Sequence, residues 1–210
     1  MNRAMQTAPL AERFAHLLAV IGSDKFLNCE GLGNEVPFFV VPFDPQEAVE
    51  MKTRQRQLTN RLAIEKGVQV LEVDLYDMAH EIMLNEGDWE HWIAEETNVS
   101  KQVLKEELQG ILDSENVLIP AIAEKMESAN FDVMFLSGAG EVFPYIRSHT
   151  VLHNLQKVAK SKPTVLFFPG QYEHSLKKGT WLDLFAPRVS LGEDKDDKYY
   201  RAFNIYDREV

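Results

Sequence analysis

The sequence predicts a three-layer α/β fold, in which helices cover both faces of a mainly parallel sheet of about five strands. Two runs carry that expectation. Phe131 to Leu136 (FDVMFL) is apolar or β-prone except at Asp132, and Pro163 to Phe168 (PTVLFF) is of the same kind. Such runs read as strands buried on both faces, which belong to parallel sheets under helices. Between them lie the small-residue loop Ser137-Gly138-Ala139-Gly140-Glu141 and a helical run from Pro144 to Ala159. Strand, helix and strand in this order form a βαβ unit, with a right-handed crossover and two strands ending at one edge of the sheet. Open α/β sheets bind their ligands at that edge.

Length and composition set the frame. With 210 residues, 45% of them hydrophobic, one compact domain spanning 1–210 is expected, with one excursion from it. The single cysteine, Cys29, leaves no internal disulfide to form and fits a reducing compartment. No basic residue or His near it in sequence offers to lower its pKa, so it reads as an ordinary half-buried thiol. The longest apolar run near the start, Leu17 to Ile21, falls far short of a membrane span and lacks the pattern of a signal peptide. The expected location is the cytoplasm.

The net charge of −11 is unevenly spread. From Glu72 to Glu127 there are fifteen Asp and Glu against Lys101, Lys105 and Lys125. That segment repels nucleic acid, so direct DNA contact would need another face.

Taken in order, Leu10, Phe14, Leu17, Leu18 and Ile21 line one side of a packing helix that Gly22 ends. Phe26 to Glu35 is a loop or irregular hairpin, and its GLGNEV lacks the third glycine of a dinucleotide fingerprint. Val36 to Phe43 is the first strand, stopped by Pro42 and Asp44-Pro45. Pro45 then suits the first turn of a long helix over Gln46 to Lys66. Val49, Leu58, Leu62 and Ile64 give that helix a thin apolar stripe, while Lys52, Arg54, Arg56 and Arg61 make it basic, either as a solvated face or as a docking surface for phosphate or an acidic partner. Gly67 caps it, and Val68 to Leu75 is the second strand.

From Asp88 to Ala129 the pattern is helical throughout. Its stripes are Trp89, Trp92 and Ile93, then Val103, Leu104, Leu108, Ile111 and Leu112, then Val117, Leu118, Ile122 and Met126. Breaks at Asn98 to Ser100 and Ser114 to Asn116 divide it into three short helices, an acidic lobe over 88–129 inserted between strands two and three, acidic outside and aromatic inside. Beyond the central unit, Gln171 to Gly179 reads as a polar loop with His174, Lys177 and Lys178, and Trp181, Leu182, Leu184 and Phe185 as a short apolar turn. Gly192 to Lys198 reads as an exposed loop and Tyr199 to Tyr206 as the last strand.

The chemistry on offer is incomplete at each place. Ser137 to Glu141 at a strand end suggests an anion cradle, since glycine lets backbone N–H groups approach a phosphate. Yet no GxxxxGK[ST] occurs, and Glu141 would repel the anion. Asp74, Asp77, His80 and Glu81 have spacings that can hold a metal, while acidic residues in a first helical turn also answer the helix dipole. His149 and His153 have HxxxH spacing without the glutamate of HExxH. On the helix after the glycine loop, Val151, Leu152, Leu155, Val158 and Ala159 define the core side and His153 points outward. Arg147, Ser148 and His149 then tie the helix start to neighbouring loops or contact a partner. SGAGE is not the GxSxG elbow of a serine nucleophile, although Glu141, His149 and His174 can meet in space as a hydrolytic site.

The words FLSGAGEVFPYIRSHTVLHNLQ, KPTVLFFPGQY and YYRAFNIYD, in this order over Phe131 to Asp207, resemble the BrxB family of BREX phage-defence systems. Weaker similarity precedes them, as in VPFDP at Val41 to Pro45. The resemblance implies a small cytoplasmic component of a bacterial or archaeal anti-phage system, with no assigned catalytic activity. It implies PglZ, BrxC and PglX as associates, PglZ foremost, and supplies no catalytic residues to carry over.

The expectation is therefore a Rossmann-like or P-loop-like domain without a Walker A motif, acting as a non-enzymatic assembly subunit. The surface expected to bind a partner or ligand comprises Ser137, Gly138, Gly140, Glu141, Arg147, Ser148, His149, Pro169 and Gly170. No catalytic residue, metal site, cofactor or membrane contact is expected. A nucleotide- or nucleic-acid-binding subunit using Arg54, Arg61, Lys177 and Lys178, and a hydrolase or nuclease built on Glu141, His149 and His174, are the rival readings.

Overall fold

The computed structural model of the chain describes residues 3–33, 35–175, 179–185 and 201–209. Its centre is a parallel sheet of β1 (Phe38–Phe43), β2 (Val70–Asp74), β3 (Val133–Ser137), β4 (Thr164–Ser175) and β6 (Phe203–Asn204), in the order β2-β3-β4-β1-β6. Strand β5 (Gly179–Leu184) pairs antiparallel with the outer half of β4. The described residues thus hold six strands where five were expected. Strands β3 and β4 are parallel neighbours, as the βαβ reading requires.

Strand residues alternate between two apolar cores. Phe38, Val40, Met134, Leu136, Leu166 and Phe168 face one; Phe39, Val41, Val133, Phe135, Val165 and Phe167 face the other. A period of two with apolar residues at every position is what burial on both faces demands. The first core is closed by α5 (Leu75–Glu86), α8 (Ile119–Ser128) and α9 (Ser148–Leu155), the second by α2 (Leu10–Ile21) and α4 (Ala48–Arg61). Short helices α1 (Arg3–Gln6) and α3 (Asp24–Leu27) flank α2. The acidic segment supplies α6 (Asp88–Glu95), α7 (Lys101–Ile111), a π turn at Ser114–Leu118 and α8. The π turn runs straight into α8, so the break expected at Ser114 to Asn116 falls instead at Leu112 and Asp113, where the Asp113 carboxylate caps the π turn.

Local signals explain most boundaries. Gly22 ends α2, its N–H donating to Leu18 O at 3.1 Å. The Asp44 carboxylate accepts from Gln46 N–H at 2.8 Å and Pro45 opens the next turn, which is a 3-10 turn at Pro45–Glu47 before α4 begins. Gly67, at φ 68°, closes the π turn Leu62–Lys66 that extends α4.

Several expectations need correction. The buried stripe of α4 and its extension is Met51, Gln55, Leu58 and Leu62, whereas Val49 and Ile64 are exposed. Those two lie off the i, i+4, i+7, i+11 row that meets the sheet. Pro42 lies inside β1 rather than ending it. The helix after the glycine loop is shorter than Pro144 to Ala159, and its turn at 156–158 leaves Val158 exposed while Asn154 is buried. Residues Gln171 to Ser175 and the apolar turn at Trp181 to Leu184 form the β4–β5 hairpin, because each supplies the other's backbone partners. The last strand is only Phe203–Asn204, with a 3-10 turn at Ile205–Asp207. Lys177, Lys178 and the stretch from Gly192 to Tyr200 lie outside the described residues. No helix among the described residues is long and apolar enough to cross a membrane.

Candidate functional site

Strand register places Phe43 beside Pro169 and Asp74 beside Ser137, so these four mark the carboxyl edge of the sheet. Asp74 organises it. Its Oδ1 accepts from the N–H groups of Tyr76 at 2.9 Å and Asp77 at 3.4 Å, capping α5. Its Oδ2 accepts from Ser137 Oγ at 3.1 Å. Lys52 Nζ stands 3.6 Å from both Asp74 Oδ2 and Glu141 Oε1, joining α4 to the glycine loop. Lys52 and Glu141 are half-exposed and both distances are long, so these pairs contribute little to stability.

Gly138 shows why the loop needs its glycine. It sits at φ 80°, and a Cβ there would lie 2.5 Å from Asp74 Oδ1 and 3.0 Å from the nitrogens of Leu75 and Tyr76. The loop therefore rests on the start of α5, whose first N–H groups already have Asp74 as acceptor. A Cβ on Gly140 would meet Pro169 and Phe185, and one on Gly170 would lie 2.2 Å from Asp183 O. Phe185 N–H donates to Pro169 O at 2.9 Å. Glycine thus serves close packing between the edge loops and the hairpin.

The edge residues are not all brought together. Ser137, Gly138 and Glu141 share the Asp74–Lys52 cluster, and Gly140, Pro169 and Gly170 pack against the hairpin. Arg147 precedes the first turn of α9, Ser148 opens it, and His149 stacks on His153 with ring centroids 6.3 Å apart. His174 lies on the hairpin, its Nδ1 2.8 Å from Thr180 Oγ1. Glu141, His149 and His174 therefore have three different neighbours. So do Asp74, His80 and Glu81: His80 meets the Trp89 ring edge-on at 4.4 Å, and Glu81 pairs with Lys125 at 2.9 Å. Among the described residues, no three metal-ligating side chains cluster. On the basic helix, Arg54 pairs with Glu50 and Arg61 with Glu65.

Among the described residues, two hollows open beside the edge. One, of about 270 Å³, sets Lys52, Arg56 and Lys125 against Glu72, Asp74, Asp77 and Glu81, so neither sign of charge dominates it. The other, of about 190 Å³, is apolar and lies between α5, α6, α7 and the loop after Gly140. Tyr76, Ala79, His80 and Met83 come from α5, Trp89, Trp92 and Ile93 from α6, Leu104 and Leu108 from α7, and Val142 and Tyr145 from the loop. Glu96 and Glu141 stand among its lining residues. Sequence reasoning found the Trp89, Trp92, Ile93 stripe but took it as interior. In the fold Trp89 and Trp92 are half-buried and Ile93 is 53% exposed.

A buried polar cluster on the opposite face was missed. Arg13 is 4% exposed, and its Nη2 donates to Glu47 Oε1 at 2.5 Å. Burial works against its charge, but the Glu47 carboxylate, with Tyr206 beside it, holds its pKa above the usual arginine value. Burial pushes Tyr206 up to about 12, against the opposing pull of Arg13. Arg13 lies three residues after Leu10 in a helical stripe, but its acceptor is thirty-four residues away and no local pattern announces it. Cys29 does have a basic neighbour, Arg208, brought in from the far end of the chain, yet burial prevails and raises its pKa.

Comparison with known proteins places the chain. It is 35% identical over 199 residues to the BREX protein BrxB of Bacillus cereus (strain H3081.97), covering 94% of this chain and 97% of that protein. It is 26% identical over 197 residues to the BREX protein BrxB of Escherichia coli O9:H4 (strain HS), covering 93% and 91%. No solved structure matches it. The model of the family described as BREX protein BrxB matches residues 71–205, more than half of the chain, and the chain belongs to that family.

Proposed function

We propose that this protein is a non-catalytic assembly subunit of a BREX phage-defence system, which binds another BREX protein, PglZ foremost, through its sheet edge and acidic helical lobe. Membership of the family supports the BREX assignment. The observation that carries the binding role is the contrast at the edge. The carboxylate and backbone groups that would serve a reaction there are engaged by Asp74, Ser137 and Lys52, while the neighbouring lobe leaves an aromatic face half-covered. Exposed aromatic and aliphatic side chains grouped in a hollow are the usual anchors of protein interfaces.

The test is a pull-down of tagged protein from cells carrying a complete BREX operon, washed at low and high salt and read by mass spectrometry. Stoichiometric PglZ, depleted at high salt because the lobe is strongly acidic, is the expected result. Recovery of the protein alone at both salt concentrations overturns the reading.

A further inference from the structure

The apolar hollow between α5, α6 and α7 has a physical signature of its own. Neither α6 nor α7 contains a single fully buried residue, although Trp89, Trp92, Leu104 and Leu108 all turn towards it. Helices of eight and eleven residues are marginal in water unless packing holds an apolar face. Here that face is only partly covered, and Tyr76 and Ile93 at its rim are 48% and 53% exposed.

The charge around it is predominantly negative, although Glu141 also faces Lys52 Nζ at 3.6 Å. Glu96 and Glu141 line the hollow. From Tyr76 to Leu112 the chain carries nine Asp and Glu against Lys101 and Lys105. A second copy of this chain would bring the same acidic lobe and a net charge of −11 against it, which like-charge repulsion disfavours.

Resting on the reading above, we infer that this hollow is the docking groove for a basic amphipathic segment of the partner protein. The segment inserts an aliphatic or aromatic side chain between Trp92, Ile93 and Tyr145, and sets Lys or Arg beside Glu96 and Glu141. Burial of the anchor supplies affinity, and the charge pairs supply orientation and on-rate.

The experiment places a photo-crosslinking phenylalanine at Ile93, and in a control at the exposed Val158 of the α9 end, in full-length protein expressed with the whole BREX operon. Expected is a crosslink from position 93, absent from 158, to a BREX subunit at a segment with apolar anchors flanked by Lys or Arg. Ile93→Asp should then lower the affinity for that purified subunit roughly tenfold, with the thermal midpoint unchanged. Co-purification without a crosslink at 93, or a crosslink to an acidic or wholly polar segment, overturns the groove and leaves the assembly role standing. A crosslink to a second copy of this chain also overturns it. Loss of all co-purification removes the assembly role itself.

Discussion

Helices α2 and α6 are written in the same code and meet different fates. Both carry an apolar stripe at helical spacing and an acidic first turn. In α2 that stripe meets the sheet, and Phe14, Leu17, Leu18, Val20 and Ile21 all become buried. In α6 the stripe of Trp89, Trp92 and Ile93 faces α5, α7 and the loop at Val142 and Tyr145 across a half-open hollow, and nothing becomes fully buried. Amphipathicity thus says which side of a helix avoids water, and says nothing of how completely a neighbour covers it.

The contrast is sharpest under truncation. Leu17→Ala, at a wholly buried site, should destabilise the protein by about 3 to 4 kcal/mol. Ile93→Ala in the half-covered stripe should cost below about 1 kcal/mol. Urea denaturation midpoints measure both, and equal losses would mean that the lobe is as well packed as the sheet.

Where the glycine loop rests on the start of α5, Gly138→Ala should destabilise by about 2 to 3 kcal/mol, through a left-handed backbone and a Cβ pressed onto the Asp74 cap. A loss near zero would show that the glycine loop can lift away from α5.

The third test concerns the α2 side. The folded-state pKa of Tyr206 lies at about 12, above its unfolded value. Its contribution is therefore fully present below pH 10 and is lost as pH rises towards 12. Alkaline unfolding between those values should be shallower in Tyr206→Phe, by roughly 2 kcal/mol. Identical alkaline profiles would show that the hydroxyl reaches solvent.

Much of the sheet was legible because a strand buried on both faces must be apolar at consecutive positions. Val133 to Leu136 and Val165 to Phe168 satisfy that without help from any partner. Asp44, Pro45, Gly22 and Gly67 were readable for a related reason, since caps act within four residues. The β4–β5 hairpin was not readable. Tyr172 is buried and Glu173 exposed because a partner strand fixes the register, and that partner is specified by pairing, not by composition. The stripe of α4 was misread because Val49 and Ile64 are as apolar as Leu58 although helical spacing sets them off the row of Met51, Gln55, Leu58 and Leu62, and that row includes the polar Gln55.

The candidate site divides in the same way. Ser137, Gly138 and Glu141 could be nominated from a small-residue loop at a strand end, but their joint attachment to Asp74 and Lys52 could not. Those partners lie on other strands and helices, and only the sheet order β2-β3-β4-β1-β6 sets β2 beside β3.

Sequence alone determined the layered α/β plan, the segregated acidic segment and the family words, because each depends on residue type within a short window. Tertiary structure decided which apolar stripes became core and which stayed half-open beside the sheet edge. Hydrophobic burial depends on the area a neighbour removes from water, and that neighbour is known only once the chain has folded.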